Sequence, residues 1–64
     1  MTRQEFNEMP YQEQWFYLVD WVTHTYKHQP YLYYALHVLV NAYEHSRIFD
    51  ASVMNDLHYK FDPN

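Results

Sequence analysis

The chain has 64 residues, a formal net charge of −4, and neither cysteine nor glycine. A chain this short has room for a single domain, here residues 1–64, and buries only about 60% of the surface that its unfolded form exposes. Disulfide bonds and Gly-rich phosphate-binding loops are excluded by composition. Direct nucleic-acid binding is disfavoured because the four basic residues are scattered singly along the chain.

The beginning of the chain and its apolar stretches bear on localisation. Met1 is followed directly by polar, helix-forming residues, so no signal peptide is expected. The longest mostly apolar stretch, residues 31–40, is too short to span a bilayer and contains His37. We therefore expect a cytoplasmic protein that does not enter a membrane.

A short first helix is predicted over about residues 3–9. Thr2 and Glu5 have the spacing of a capping box, in which each side chain accepts a hydrogen bond from the other residue's backbone. Met1 and Phe6 stand at the two positions of a hydrophobic staple around that cap. Two motifs, the capping box and the hydrophobic staple, therefore predict the start of this helix.

A second helix is predicted over about residues 10–28, because Pro10 suits the first turn of a helix. At the α-helical period, an arc of about 100° on this helix is apolar and should face the core. The arc contains Tyr11, Trp15, Leu18, Val19, Val22 and Tyr26. Pro30 ends the helix, because a residue that precedes proline is disfavoured in the α conformation.

A third helix is predicted over about residues 30–46, antiparallel to the second across a tight connection. A strand is disfavoured here because the apolar residues do not alternate with polar ones. Apolar side chains cover well over half of the helix, so it must be covered on several sides. We expect short helices to leave one side for a second subunit, either the side of Tyr31 and Val38 or that of Tyr33 and Val40. A narrow polar line runs along it through Tyr34, His37, Asn41 and Glu44.

A last helix is predicted over about residues 51–60, with Asp50 as its N-cap and Phe49 and Met54 as a second hydrophobic staple. Because glycine is absent, any positive φ angle has to be taken by Asn or His. The predicted fold class is all-α. It is a small helical bundle in which two longer antiparallel helices (about 10–28 and 30–46) are flanked by short N- and C-terminal helices.

One stripe of the second helix lies outside its core arc and is a candidate binding surface. It consists of Tyr17, Trp21, His24 and His28. Tryptophan and tyrosine dominate the hot spots of protein interfaces, and a contiguous aromatic patch is costly to leave in water. The alternative is that the first or fourth helix covers Tyr17 and Trp21 as part of the core.

His24 and His28 also raise the question of a metal. A spacing of four residues places two imidazoles on one face of a helix, with Asp20 as a conceivable third ligand. Histidines near a helix C-terminus also interact favourably with the helix dipole without any metal. We predict no metal site and no cofactor, and keep a metal-binding module as the alternative function.

An enzyme is not predicted. His37 and Glu44 have side chains that can transfer protons, but no nucleophile, cofactor motif or oxyanion loop accompanies them. The acids of the first twenty residues allow a further alternative, an inhibitor that mimics nucleic-acid phosphates, although a solvated helix surface is the commoner cause. These acids are Glu5, Glu8, Glu13 and Asp20.

The sequence thus predicts a non-enzymatic protein-interaction module, a self-associating small regulator or inhibitor that binds a larger protein partner. The aromatic content of 22% and the apolar third helix favour a homodimer. Compact, glycine-free chains of this size are often encoded by phages or other mobile elements, so such an origin is expected. The residues expected to self-associate are Tyr31, Tyr33, Val38 and Val40. Those expected to bind the protein partner are Tyr17, Trp21, His24 and His28.

Overall fold

A computed structural model describes residues 1–45 and 48–62, and these residues contain four helices. The helices are α1 (Arg3–Glu8), α2 (Tyr11–Thr25), α3 (Tyr31–Glu44) and α4 (Ala51–Asp56). The start of α2 meets the end of α3, where the Tyr11 hydroxyl donates to the Ala42 carbonyl oxygen over 3.0 Å. The predicted all-α bundle, with two longer helices between two short ones, is confirmed.

None of these helices has the combination of length and hydropathy that crossing a bilayer requires. The capping box of α1 forms as predicted. The Glu5 backbone N–H donates to Thr2 Oγ1 over 3.2 Å, and the Thr2 backbone N–H donates to Glu5 Oε1 over 3.3 Å. Both staple residues, Met1 and Phe6, pack in or against the core.

α2 is shorter than predicted and ends at Thr25 instead of near residue 28. The chain reverses over residues 26–30, where the Gln29 backbone N–H donates to the Tyr26 carbonyl oxygen over 3.0 Å. His28 in this turn has a φ of 65°. A left-handed residue cannot continue a right-handed helix, so α2 has to end before the proline that the prediction used as its stop. α3 is followed by its C-cap His45, and its predicted end at Ser46 lies outside the described residues.

α4 also ends earlier than predicted, because His58 has a φ of 56°. The His58 backbone N–H donates to the Asn55 carbonyl oxygen over 3.1 Å, and that of Tyr59 donates to the Met54 carbonyl oxygen over 2.9 Å. This pair of bonds is a Schellman motif with His in the place usually taken by glycine. The prediction that Asn or His takes the positive φ angles is therefore confirmed at His28 and His58.

The core is centred on Phe6 of α1, which is fully buried. Four aromatic rings have their centroids 5.6–6.4 Å from the Phe6 ring, and they belong to Tyr17, Phe49, Tyr59 and Phe61. Buried aliphatic residues complete the core, namely Leu18, Val22, Ala35, Leu39, Ala42, Met54 and Leu57. The buried side chain of Gln14 is satisfied, since its Nε2 donates to the Phe6 carbonyl oxygen over 2.8 Å.

Candidate functional site

The Tyr17 and Trp21 side of α2 packs against the segment that follows α4. The Trp21 ring lies 4.8 Å from the Tyr59 ring, and the Tyr17 ring lies 6.2 Å from it, both edge to face. Tyr17 and Trp21 are partly buried as a result. Their role in binding a partner stays a prediction, and a partner at this side would contact them beside Tyr59.

The covering segment is held at its far end by the start of the chain. The Met1 ammonium group lies 2.6 Å from Asp62 Oδ2, and the Asp62 backbone N–H donates to the Met1 carbonyl oxygen over 3.1 Å. The Arg3 guanidinium carbon lies 4.6 Å from the centroid of the Phe61 ring, a cation–π arrangement. These contacts keep Tyr59 in place over α2.

His24 and His28 do not share a helix face. His24 is exposed on the last turn of α2, with its Nδ1 2.8 Å from the Asp20 carbonyl oxygen and 3.3 Å from Asp20 Oδ1. His28 lies beyond the end of α2, in the turn that leads to α3. Within residues 1–45 and 48–62, no cluster of three or more His, Asp or Glu side chains is placed to hold a metal ion. The metal-binding alternative stays a prediction. It was based on two histidines on one helix face, and the structure does not place His24 and His28 in that way.

Of the two sides of α3 that the sequence left open, α4 and its C-terminal turn cover the side of Tyr31 and Val38. The Tyr31 hydroxyl donates to the Asp56 carbonyl oxygen, and the Tyr31 ring stacks on His58 with 5.1 Å between centroids. Val38 is partly buried and packs against the core. Tyr31 and Val38 therefore both make contacts within the chain.

Within the part of the chain that the structure describes, the opposite side of α3 is left uncovered and continues onto α2. We call this surface the α2–α3 flank, and it consists of Phe16, Val19, Tyr33, Leu36, Val40 and Tyr43. The most exposed member is Tyr33, at 78%, followed by Phe16 at 55%, Val40 at 43% and Tyr43 at 40%. Val19 and Leu36 are partly buried between these residues and the core. The exposed rings of the flank therefore lie beside side chains that are themselves packed against the core.

Trp15 connects the two helices beneath the flank. Its ring lies 5.2 Å from the Phe16 ring and 4.7 Å from the Tyr43 ring. Trp15 Nε1 is buried and has no hydrogen-bond partner among the described residues. A buried N–H without a partner costs about 1–3 kcal/mol.

The six residues of the flank are all uncharged, and charged residues stand only around it. Asp20 follows Phe16 by one turn of α2, and Glu44 follows Val40 by one turn of α3. Both carboxylates are on exposed residues. An apolar centre with a charged rim is the usual anatomy of a protein–protein interface.

Comparison with protein-family models, with curated proteins and with solved structures finds no match to this chain. Its function therefore has to be inferred from its own geometry.

Sequence reasoning missed two members of the flank. The sequence patterns indicated Tyr33 and Val40 as surface residues but singled out neither Phe16, which lies beside the core arc of α2 and is 55% exposed, nor Tyr43, which is 40% exposed. The signal that identifies Phe16 is its position, since a phenylalanine outside the arc of its own helix has to be covered by something else.

Proposed function

We propose that this chain is a non-enzymatic protein-interaction module that docks through the α2–α3 flank. The observation that carries the proposal is the exposure of four large apolar side chains on one surface of a 64-residue chain. The largest apolar patch on a typical soluble monomer covers about 300–600 Å² and is often functional. In biological terms, the module acts as a small regulator or inhibitor.

The non-enzymatic character is supported by the environment of the polar line on α3. His37 and Asn41 are exposed, on the side of α3 that faces Ser52 and Asp56 of α4. General acid–base catalysis is favoured by a site that holds the proton-transfer group away from water. His37, Asn41, Ser52 and Asp56 line a cavity of about 230 Å³, and because His37 is exposed there, this environment fits a solvated strip better than a water-excluding catalytic pocket.

A photo-crosslinking experiment tests the docking surface, because it captures a partner whose identity is unknown. The photoreactive amino acid p-benzoylphenylalanine is placed at position 33 of the flank or, in the matched control, at position 7 on the exposed surface of α1. Both chains are expressed in cells and irradiated. We expect one discrete adduct from position 33 and none from position 7.

A second substitution makes the test specific to the flank. Adding Val40→Glu to the chain labelled at position 33 should abolish the adduct, because a carboxylate in an apolar contact surface is costly to desolvate. Circular dichroism checks that the labelled chains keep their helices. Equal labelling from positions 33 and 7, or an adduct that survives Val40→Glu, would show that the flank is not the docking surface.

A further inference from the structure

The size of the α2–α3 flank can be compared with what a stable interface requires. A side chain of an aromatic residue removes about 150–250 Å² from water when it is buried, so the exposed fractions of Phe16, Tyr33 and Tyr43 amount to about 350 Å². Val40 adds to this area, since it is 43% exposed. A standard interface buries about 800 Å² on each side, somewhat more than half of it apolar. The flank thus provides most of the apolar centre of one such interface.

The spacing of the flank residues indicates what kind of structure fits against them. On α3 they are Tyr33, Leu36, Val40 and Tyr43, separated alternately by three and four residues. Phe16 and Val19 on α2 have the same three-residue step. Alternating steps of three and four define the seam along which one helix packs against another with interlocking side chains. The flank therefore has the spacing along which a partner helix can pack.

The charge of the flank selects among helical partners. The centre of a protein interface is usually depleted of charged residues, so the occupant of the flank should present an uncharged, apolar surface there. The centre of the flank is uncharged, and the nearest acids, Asp20 and Glu44, lie at its rim. The surface that matches an uncharged, helical, aromatic patch is another such patch. A second copy of the chain offers one without bringing like charges together at the centre.

From this match we infer that the occupant of the α2–α3 flank is a second copy of this chain, related by a two-fold axis, an inference that rests on the docking function proposed above. In such a dimer the same surface serves both subunits, and α2 and α3 of one copy pack on the helix pair of the other. The dimer also supplies the additional apolar burial that a domain of this size needs.

Sedimentation equilibrium of the full chain over a wide concentration range tests this inference. We expect the mass to rise with concentration from one chain of 8.0 kDa to two chains. Val40→Glu and Tyr33→Glu should each raise the dissociation constant about 100-fold or more, because both place an uncompensated charge in the contact. Asn7→Glu, which adds the same charge on the exposed surface of α1, should leave the dissociation constant unchanged.

The possible outcomes separate the dimer from the docking function. A monomer at every concentration overturns the dimer, and the docking function then depends on the adduct from position 33, whose mass would have to differ from that of two chains. A dimer that persists in Val40→Glu and Tyr33→Glu shows that the copies meet on another surface. Assemblies larger than two chains overturn the closed two-fold arrangement. Circular dichroism at low concentration confirms that each variant is folded.

Discussion

Trp21 illustrates how the role of one side chain depends on what lies over it. On the sequence it belongs to a stripe predicted to bind a partner, because it stands outside the core arc of its helix. In the structure its ring packs edge to face on Tyr59 and on Tyr26, with centroids 4.8 and 5.9 Å away. A ring in two such contacts contributes to the stability of the chain whether or not a partner also touches it.

We therefore expect Trp21→Ala to lower the free energy of unfolding by about 2–3 kcal/mol, somewhat less than for a fully buried tryptophan. Urea titration followed by circular dichroism measures the change. Thr25→Ala, an exposed substitution on the same helix, is the matched control and should stay within about 0.5 kcal/mol of the unmodified chain. An equally small effect of Trp21→Ala would indicate that this ring contributes little to the stability of the chain and is available to bind a partner.

At the scale of the helix, α4 shows how a very short element is kept in place. It has six residues, far fewer than an isolated helix needs for stability in water. Asp50 caps its start, accepting hydrogen bonds from the backbone N–H groups of Ser52 and Val53 over 3.0 and 3.2 Å. The Schellman motif at His58 closes its other end. Between these ends, the buried side chain of Met54 anchors it to the core.

Replacing the cap should loosen this helix. We expect Asp50→Ala to lower the free energy of unfolding by about 1 kcal/mol, because two backbone N–H groups lose their acceptor. Asp50→Asn keeps a side-chain acceptor and should restore nearly all of that loss. Urea titration measures global stability, and amide hydrogen exchange at Leu57 reports on α4 itself. Equal stability of the Ala and Asn variants would mean that the packing of Met54 alone holds the helix.

On the scale of the whole molecule, the buried tyrosines make stability depend on alkaline pH. Burial raises the pKa of the Tyr59 hydroxyl, and the nearby Tyr17 hydroxyl and Asp62 carboxylate raise it further. Burial is also the main reason why the pKa values of Tyr11 and Tyr31 are raised. Above a pH of about 10, the unfolded chain releases these protons while the folded chain retains them. These tyrosines therefore leave the stability unchanged below that pH and lower it as the pH rises above it.

This dependence can be measured as the urea midpoint over a pH range of about 8 to 11. We expect the midpoint to decline above a pH of about 10 and to decline less steeply in Tyr59→Phe, since that variant lacks one of the protons involved. Thr25→Ala, an exposed substitution that removes no tyrosine, should follow the unmodified chain. A decline in Tyr59→Phe as steep as in the unmodified chain would show that this hydroxyl does not carry the effect.

The number and order of the helices were predictable because local patterns encode them. The capping box at Thr2 and the cap at Asp50 depend on residues a few positions apart, and both form as predicted. Helix ends were less predictable, because α2 and α4 end through histidines in the left-handed conformation and histidine is compatible with many conformations. Tyr59 was missed as a core residue because its burial depends on the turn at His58.

By itself, the sequence determined the all-α bundle, the antiparallel pair and the excess of apolar surface on the third helix. These follow from periodicity and from short-range hydrogen bonds, which a single segment contains. Only the tertiary structure decided which part of this apolar surface stays exposed, because covering a surface depends on contacts between residues far apart in the chain. α4 and its C-terminal turn cover the side of Tyr31 and Val38, the segment around Tyr59 covers Trp21, and the side of Tyr33 and Val40 stays exposed.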